Sequence, residues 1–222
     1  MMQLKSISSS ILLAVVTIVL VLSGCDTAYY KTMEQFGQHK RDIMVNRVES
    51  ARDAQEEAKE QFKSALEKFS SVIAIEDGDL KQQYDQLKTE YDKSRARAQT
   101  VSDRVDAVEE VSEDLFTEWE KELSEYSSAK LRRSSEQKLQ QTRRQYDQLM
   151  KAMRRAEQKM DPVLTAFKDQ VLYLKHNLNA QAIASLQDEL STIESDVAKL
   201  IKEMEASIRE ADTFIFAMAS EG

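Results

Sequence analysis

Turn-forming residues are almost missing from this chain of 222 residues, which has four glycines and one proline, where about one residue in eight is usual for the two together. Sandwiches, barrels and doubly wound sheets need many tight turns and glycine-rich loops, so those architectures are excluded. A single cysteine rules out an intramolecular disulfide. Only two histidines are present, which leaves little for metal binding or for acid–base work near neutral pH. What is abundant is charge, 32% of residues, together with Ala, Leu and Gln. Strong helix formers with few turns mean few, long helices.

Residues 1–24 stand apart from the rest. Lys5 is their only charge, a 12-residue run from Ile11 to Leu22 is apolar but for Thr17, and the segment ends Leu22-Ser23-Gly24-Cys25. A charged start, a short apolar stretch and small residues before a cleavage point describe a secretory signal peptide. A spanning helix needs about 20 apolar residues, and counting back to Ile7 gives 16, with Ser8, Ser9 and Ser10 among them. An uncleaved signal anchor is the second reading. The closing tetrapeptide resembles a bacterial lipobox, at which the Cys thiol is acylated and becomes the first residue of the mature chain. That resemblance implies lipidation of Cys25 with three acyl chains, more than the two signals stable anchoring takes, and so a tethered chain. Asp26 resembles the enteric sorting signal that retains a lipoprotein in the inner membrane, which inclines the reading to that membrane over the outer one. Tyr29 and Tyr30 suit either the headgroup region or packing on neighbouring helices.

Beyond the leader, apolar residues recur in alternating steps of four and three, the period of coiled coils and helical bundles. The first helix reads Met44, Val48, Ala51, Gln55, Ala58, Phe62, Ala65, Phe69 and Val72, with Gln55 the one polar residue of the seam. Acidic turn residues and a glycine coincide at Glu76-Asp77-Gly78-Asp79. A second stripe then runs through Leu80, Tyr84, Leu87, Tyr91, Ser94, Ala98, Val101, Val105, Val108, Ser112, Leu115 and Trp119, and on through Leu123 and Tyr126. The third reads Leu139, Tyr146, Leu149, Met153, Ala156, Met160, Leu164, Phe167, Val171, Leu174 and Leu178, with Asp161-Pro162 taken as a kink rather than a stop. Asn177 to Asn179 is the next turn. The fourth reads Leu186, Leu190, Ile193, Val197, Leu200, Met204, Ile208, Ala211, Ile215 and Met218.

Charge locates the least obvious reversal. Ten acidic residues between Asp103 and Glu125 face only Arg104 and Lys121, whereas ten basic residues between Ser127 and Met160 face only Glu136, Asp147 and Glu157. Folding near Ser128 lays these opposite blocks side by side. The predicted fold is therefore all-α: an elongated antiparallel bundle, or coiled coil, of four long helices at about 28–75, 80–126, 130–176 and 180–218. They form a single domain over residues 25–222. The start of the first helix, the junction near Ser128 and the C-terminus then share the membrane-proximal end.

Converging chemistry is scarce. His39 and His176 fall at opposite ends of the predicted bundle, and no Glu-x-x-His, no His-Glu-x-x-His, no glycine-rich phosphate loop and no cysteine cluster occurs. The sequence therefore implies no enzyme, no cofactor and no metal. Binding surfaces are better represented. Arg132-Arg133, Arg143-Arg144 and Arg154-Arg155 recur every 11 residues, three helical turns, so the pairs stack along one face. Their partners are either the acidic block or anionic headgroups. Nucleic acid is excluded by export and by an acidic balance of 39 Asp and Glu against 31 Lys and Arg, Lys5 leaving with the signal peptide. Phe214, Ile215, Phe216 and Met218 cover more than one face of the last helix, some closing the core against Phe36 and Trp119 and the rest offered to a bilayer or a partner. Phe214 and Phe216 both stand as candidate contacts beside the six arginines.

The segments His39-Lys40-Arg41-Asp42-Ile43, Arg47-Val48-Glu49, the run from Ala51 to Phe62, and Leu174-Lys175-His176-Asn177-Leu178-Asn179-Ala180 are similar to an uncharacterised proteobacterial family of coiled-coil proteins read as lipoproteins. The likeness extends from about Tyr29 to Met218 and carries no activity, ligand or site residue with it. It implies an envelope protein of this architecture. Sequence and resemblance together point to a non-enzymatic, lipid-anchored periplasmic module, structural or protein-binding, meeting the membrane through its lipid and an unidentified envelope protein through its faces. Self-association of the bundle is compatible with the same seams. The alternative is a peripheral module that uses the arginine stripe and the C-terminal aromatics on anionic phospholipid.

Overall fold

The computed structural model describes residues 40–73, 80–177 and 180–220. The leader, Cys25, the tyrosine pair, His39 and the Glu76–Asp79 turn lie outside the described residues, as does the start assigned to the first helix at residue 28. The chain divides into two compact units, Met1–Ile43 and Met44–Gly222, and the bundle is that of the second. Its elements are four long helices, α1 (Lys40–Ile73), α2 (Leu80–Glu122), α3 (Ala129–His176) and α4 (Ala180–Ser220), with a single 3-10 turn at Leu123–Glu125. The fold is all-α, as the heptads require.

In α1 every residue of the predicted seam is buried, from Met44 through Gln55 to Val72. One row, Met44, Ala51, Ala58, Ala65 and Val72, is mostly small and lets a neighbouring helix approach. The other, Val48, Gln55, Phe62 and Phe69, fills the space so made. Phe69 stacks on Phe167 of α3 with ring centroids 4.5 Å apart and planes 12° from parallel, and Phe62 lies 6.4 Å from the same ring. α1 and α3 thus meet across the core.

Polar contacts fix the order of neighbours. Gln61 Nε2 donates to Glu90 Oε2 at 2.8 Å, and Arg97 pairs with Glu57, setting α2 antiparallel to α1. Arg143 pairs with Glu120 at 2.7 Å and Arg154 with Asp106 at 2.8 Å, setting α3 antiparallel to α2. Arg155 reaches Glu203 at 3.3 Å, and Arg52 reaches Asp212 at 3.1 Å, which closes α4 against both α3 and α1. The result is an up-and-down four-helix arrangement.

Two details sharpen the sequence reading. α3 runs unbroken through Pro162. Proline lacks the amide that would bond to the carbonyl of Gln158, and Pro162 and Gln158 both lie on the exposed side of the helix. The reversal near Ser128 is real. α2 ends at Glu122, and Ser128 caps α3, its hydroxyl accepting from the Leu131 amide at 3.4 Å and its carbonyl from the Arg132 amide at 3.0 Å.

Several stripe positions need correction. In α4 the buried residues are Leu186, Ile193, Leu200, Ser207 and Phe214, seven apart, interleaved with Val197, Met204, Ala211 and Met218. Leu190, Ile208 and Ile215 are only half-buried. In α2, Gln83, Val111 and Phe116 are buried while Leu80, Tyr84, Tyr91, Leu115 and Trp119 are half-buried. In α3, Val163 is buried and Leu164 half-buried, and Tyr146 is half-buried as well. In α4 a seven-residue row covers Ser207 and Phe214 in place of Ile208 and Ile215, and in α3 it covers Val163 in place of Leu164. In α2 the covered side shifts by one residue at both ends, to Gln83 beside Tyr84 and to Phe116 beside Leu115.

Candidate functional site

The six arginines of the repeat do not act as one stripe. Arg154 is the most engaged: it pairs with Asp106 and Glu109 of α2 and with Glu157 of its own helix at 2.8 Å. Burial pushes its guanidinium down, but the hydrogen bonds to Glu157, Glu109 and Asp106 outweigh that and hold it above its usual range. Arg143 pairs with Glu120 and also sits 5.1 Å from the Phe116 ring centroid. Phe116 in turn meets Tyr146 edge-on, with centroids 5.3 Å apart. Arg155 is taken by Glu203 of α4. Arg132, Arg133 and Arg144 are exposed and pair with no carboxylate among the described residues. Asp106, Glu109 and Glu120 of the acidic block therefore pair with α3, as the charge argument anticipates, and only part of the stripe is left for anything else.

Phe214 is 2% exposed and belongs to the core, where the seven-residue row of α4 places it; it is withdrawn from any surface contact. Phe216 is 76% exposed. At the α2–α3 turn lies a small apolar group, of which the heptad reading assigns Trp119 and Tyr126 to the α2 stripe and leaves Leu131 unassigned. Tyr126 is 41% and Leu131 58% exposed. With Trp119, Ser134, Ser135 and Lys138 they border an open groove of roughly 530 Å³. Trp119 is held in place by its indole N–H, which donates to Ser135 Oγ at 2.8 Å. Tyr126, read from the heptads as part of the α2 stripe, is exposed because α2 ends at Glu122 before reaching it; the sequence signal for Leu131 is the lapse of the apolar pattern from Ser127 to Ser135. Lys130, Arg132 and Arg133 surround Leu131 on the same turn of sequence.

His176, the last residue of α3, is exposed at the end of the bundle opposite this turn. Among the described residues no group of three His, Cys, Asp or Glu is placed to hold a metal ion, and no helix is long and apolar enough to cross a membrane. Buried polar side chains do occur in the seams. Gln55, Ser94, Thr142 and Ser207, one on each helix, have side-chain atoms with no hydrogen-bond partner among the described residues.

Compared with known proteins, residues 29–218 match the model of a family described as a protein of unknown function, DUF2959. No curated protein and no solved structure matches the chain.

Proposed function

We propose, for a chain that belongs to the DUF2959 family of proteins of unknown function, that it is a lipid-anchored, non-enzymatic module of the bacterial envelope. In this reading it faces the periplasm, at the inner rather than the outer membrane, and works as a structural or protein-binding bundle. One observation carries the anchor: Leu22-Ser23-Gly24-Cys25 closes a short apolar leader and supplies the only cysteine of the chain. The bundle supports the second half. Its core is filled by apolar rows, its outer faces are charged, and several of those charges are already tied to one another across helices. Such a surface stiffens the bundle and leaves its remaining charges to select a partner. The partner is an envelope protein, best sought by affinity capture with the native anchor retained.

Cys25→Ser tests the anchor. Expected outcomes are loss of labelled fatty acid from the protein, loss of the processed form and release from the membrane fraction when the leader is otherwise removed. Unchanged attachment and processing would sink the lipoprotein reading.

A further inference from the structure

We infer that the α2–α3 turn is a second, weaker membrane contact, in which Tyr126, Leu131 and Trp119 settle at the headgroup level of an anionic phospholipid surface while Arg132 and Arg133 meet its phosphates. The inference rests on the anchored reading above and names what this end of the bundle touches.

Three observations converge on the turn. The first is composition. Trp, Tyr and Leu beside Lys and Arg are the residues that favour the interface, where rings with one polar edge and long cationic side chains each satisfy both phases. Tyr126 and Leu131 are exposed here at the tip of a fold that buries most of its large apolar side chains. The second is charge. In a chain of formal net charge -8, the segment from Lys121 to Arg133 runs the other way, with Lys121, Lys130, Arg132 and Arg133 outnumbering Glu122 and Glu125 by two. Arg132 and Arg133 are not consumed by the acidic block that takes Arg143 and Arg154. The third is topology. α1 and α3 run parallel and α2 runs against both, so the turn lies at the end of the bundle where α1 enters it at Met44. Between the proposed lipid at Cys25 and the start of α1 at Lys40 the chain can reach no more than about 50 Å. A lipid on Cys25 raises the effective concentration of bilayer for the whole chain, so a contact too weak to recruit a free protein is still populated.

The sole tryptophan is a built-in probe. The full-length chain is reconstituted into vesicles of phosphatidylcholine with or without phosphatidylglycerol, the lipids carrying brominated chains, and Trp119 fluorescence is recorded. A second variant, Trp119→Phe with Leu131→Trp, places the reporter at a more exposed position of the turn and leaves the core untouched; its helix content by circular dichroism checks the fold. Quenching is expected with phosphatidylglycerol present, weaker in phosphatidylcholine alone and reversed by high salt. Arg132→Gln with Arg133→Gln is expected to weaken the contact equilibrium on the order of 30-fold, at about a factor of five per arginine. Unquenched fluorescence from both reporters on vesicles that carry the protein would overturn the proposal and leave the turn to a protein partner. Quenching indifferent to phosphatidylglycerol, to salt and to the two arginines would overturn it as well. The anchor is scored separately, by mass spectrometry of the peptide containing Cys25. A chain attached through an uncleaved leader fails the lipoprotein reading, while its quenching still decides whether the turn meets the bilayer.

Discussion

Phe167 is the side chain on which the two halves of the core depend most visibly. It is fully buried and receives both Phe69 and Phe62 from α1, so truncation removes apolar area and opens a cavity that three helices would have to collapse. Phe167→Ala is expected to cost about 3–5 kcal/mol, read as a lower midpoint in urea denaturation, whereas Phe216→Ala should fall within about 0.5 kcal/mol because its ring is exposed. Titration enters at Glu90. Burial pushes its carboxyl up, but hydrogen bonds from Lys93 and Gln61 outweigh that and leave it below its ordinary range. A depressed folded-state value means that Glu90 contributes stability above the ordinary glutamate pKa of about 4.3 and loses it as pH falls through the folded-state value. Glu90→Gln should therefore be less stable than the parent near neutral pH, by no more than about 1 kcal/mol for a pair at the surface. The gap should close on acidification, and denaturation midpoints of both proteins between neutral and acid pH measure it; a gap that persists in acid would contradict the assignment.

At the level of single helices, the number, order and direction of the elements are legible because heptads and turn residues agree. The seam of α1 is legible residue by residue, because steps of four and three run unbroken from Met44 to Val72 even where Ala54 and Leu66 adjoin it. In α4 the local pattern misleads by one residue at Ser207 and at Phe214, because Ile208 and Ile215 are locally the better hydrophobes and the seven-residue row is visible only over the whole helix. The arginines are harder still. Spacing puts all six on a common face, yet which carboxylate each one finds depends on the separation of α2, α3 and α4, a quantity the sequence does not carry. The end of α2 is blurred because Ser127 to Ser135 contains neither glycine nor proline. What stops the helix there is a serine cap and an extended Tyr126, whose backbone sits at φ -67° and ψ 118°. Pro162 offers a direct test at this scale. It interrupts one hydrogen bond on the wet side of α3, so Pro162→Ala should stabilise the protein by about 1–3 kcal/mol. A thermal melt would show it, and a decrease in stability would mean that a bend imposed by the proline is needed for packing.

For the molecule as a whole, protection should follow the seams. Amides of α1 from Ala51 to Phe69 and of α3 from Leu149 to Leu174 lie over the most continuously buried rows and are expected to exchange slowest. Among the described residues, those from Leu123 to Ser135, where burial is least complete, should exchange fastest. Hydrogen exchange read by mass spectrometry would show either this gradient or a uniform profile that contradicts it. The pairing of α2 with α3 also behaves as a vernier. Its apolar rows repeat every seven residues, but its cross-helix ion pairs repeat every 11, since Arg143 and Arg154 are matched by Glu120 and Glu109. A slip of one heptad keeps the core and strands the charges; a slip of 11 re-forms a pair and misaligns the core. The two scales come back into step only after a shift longer than α3 itself, which has 48 residues, so a hairpin with no glycine or proline at its turn still has one position at which it can close.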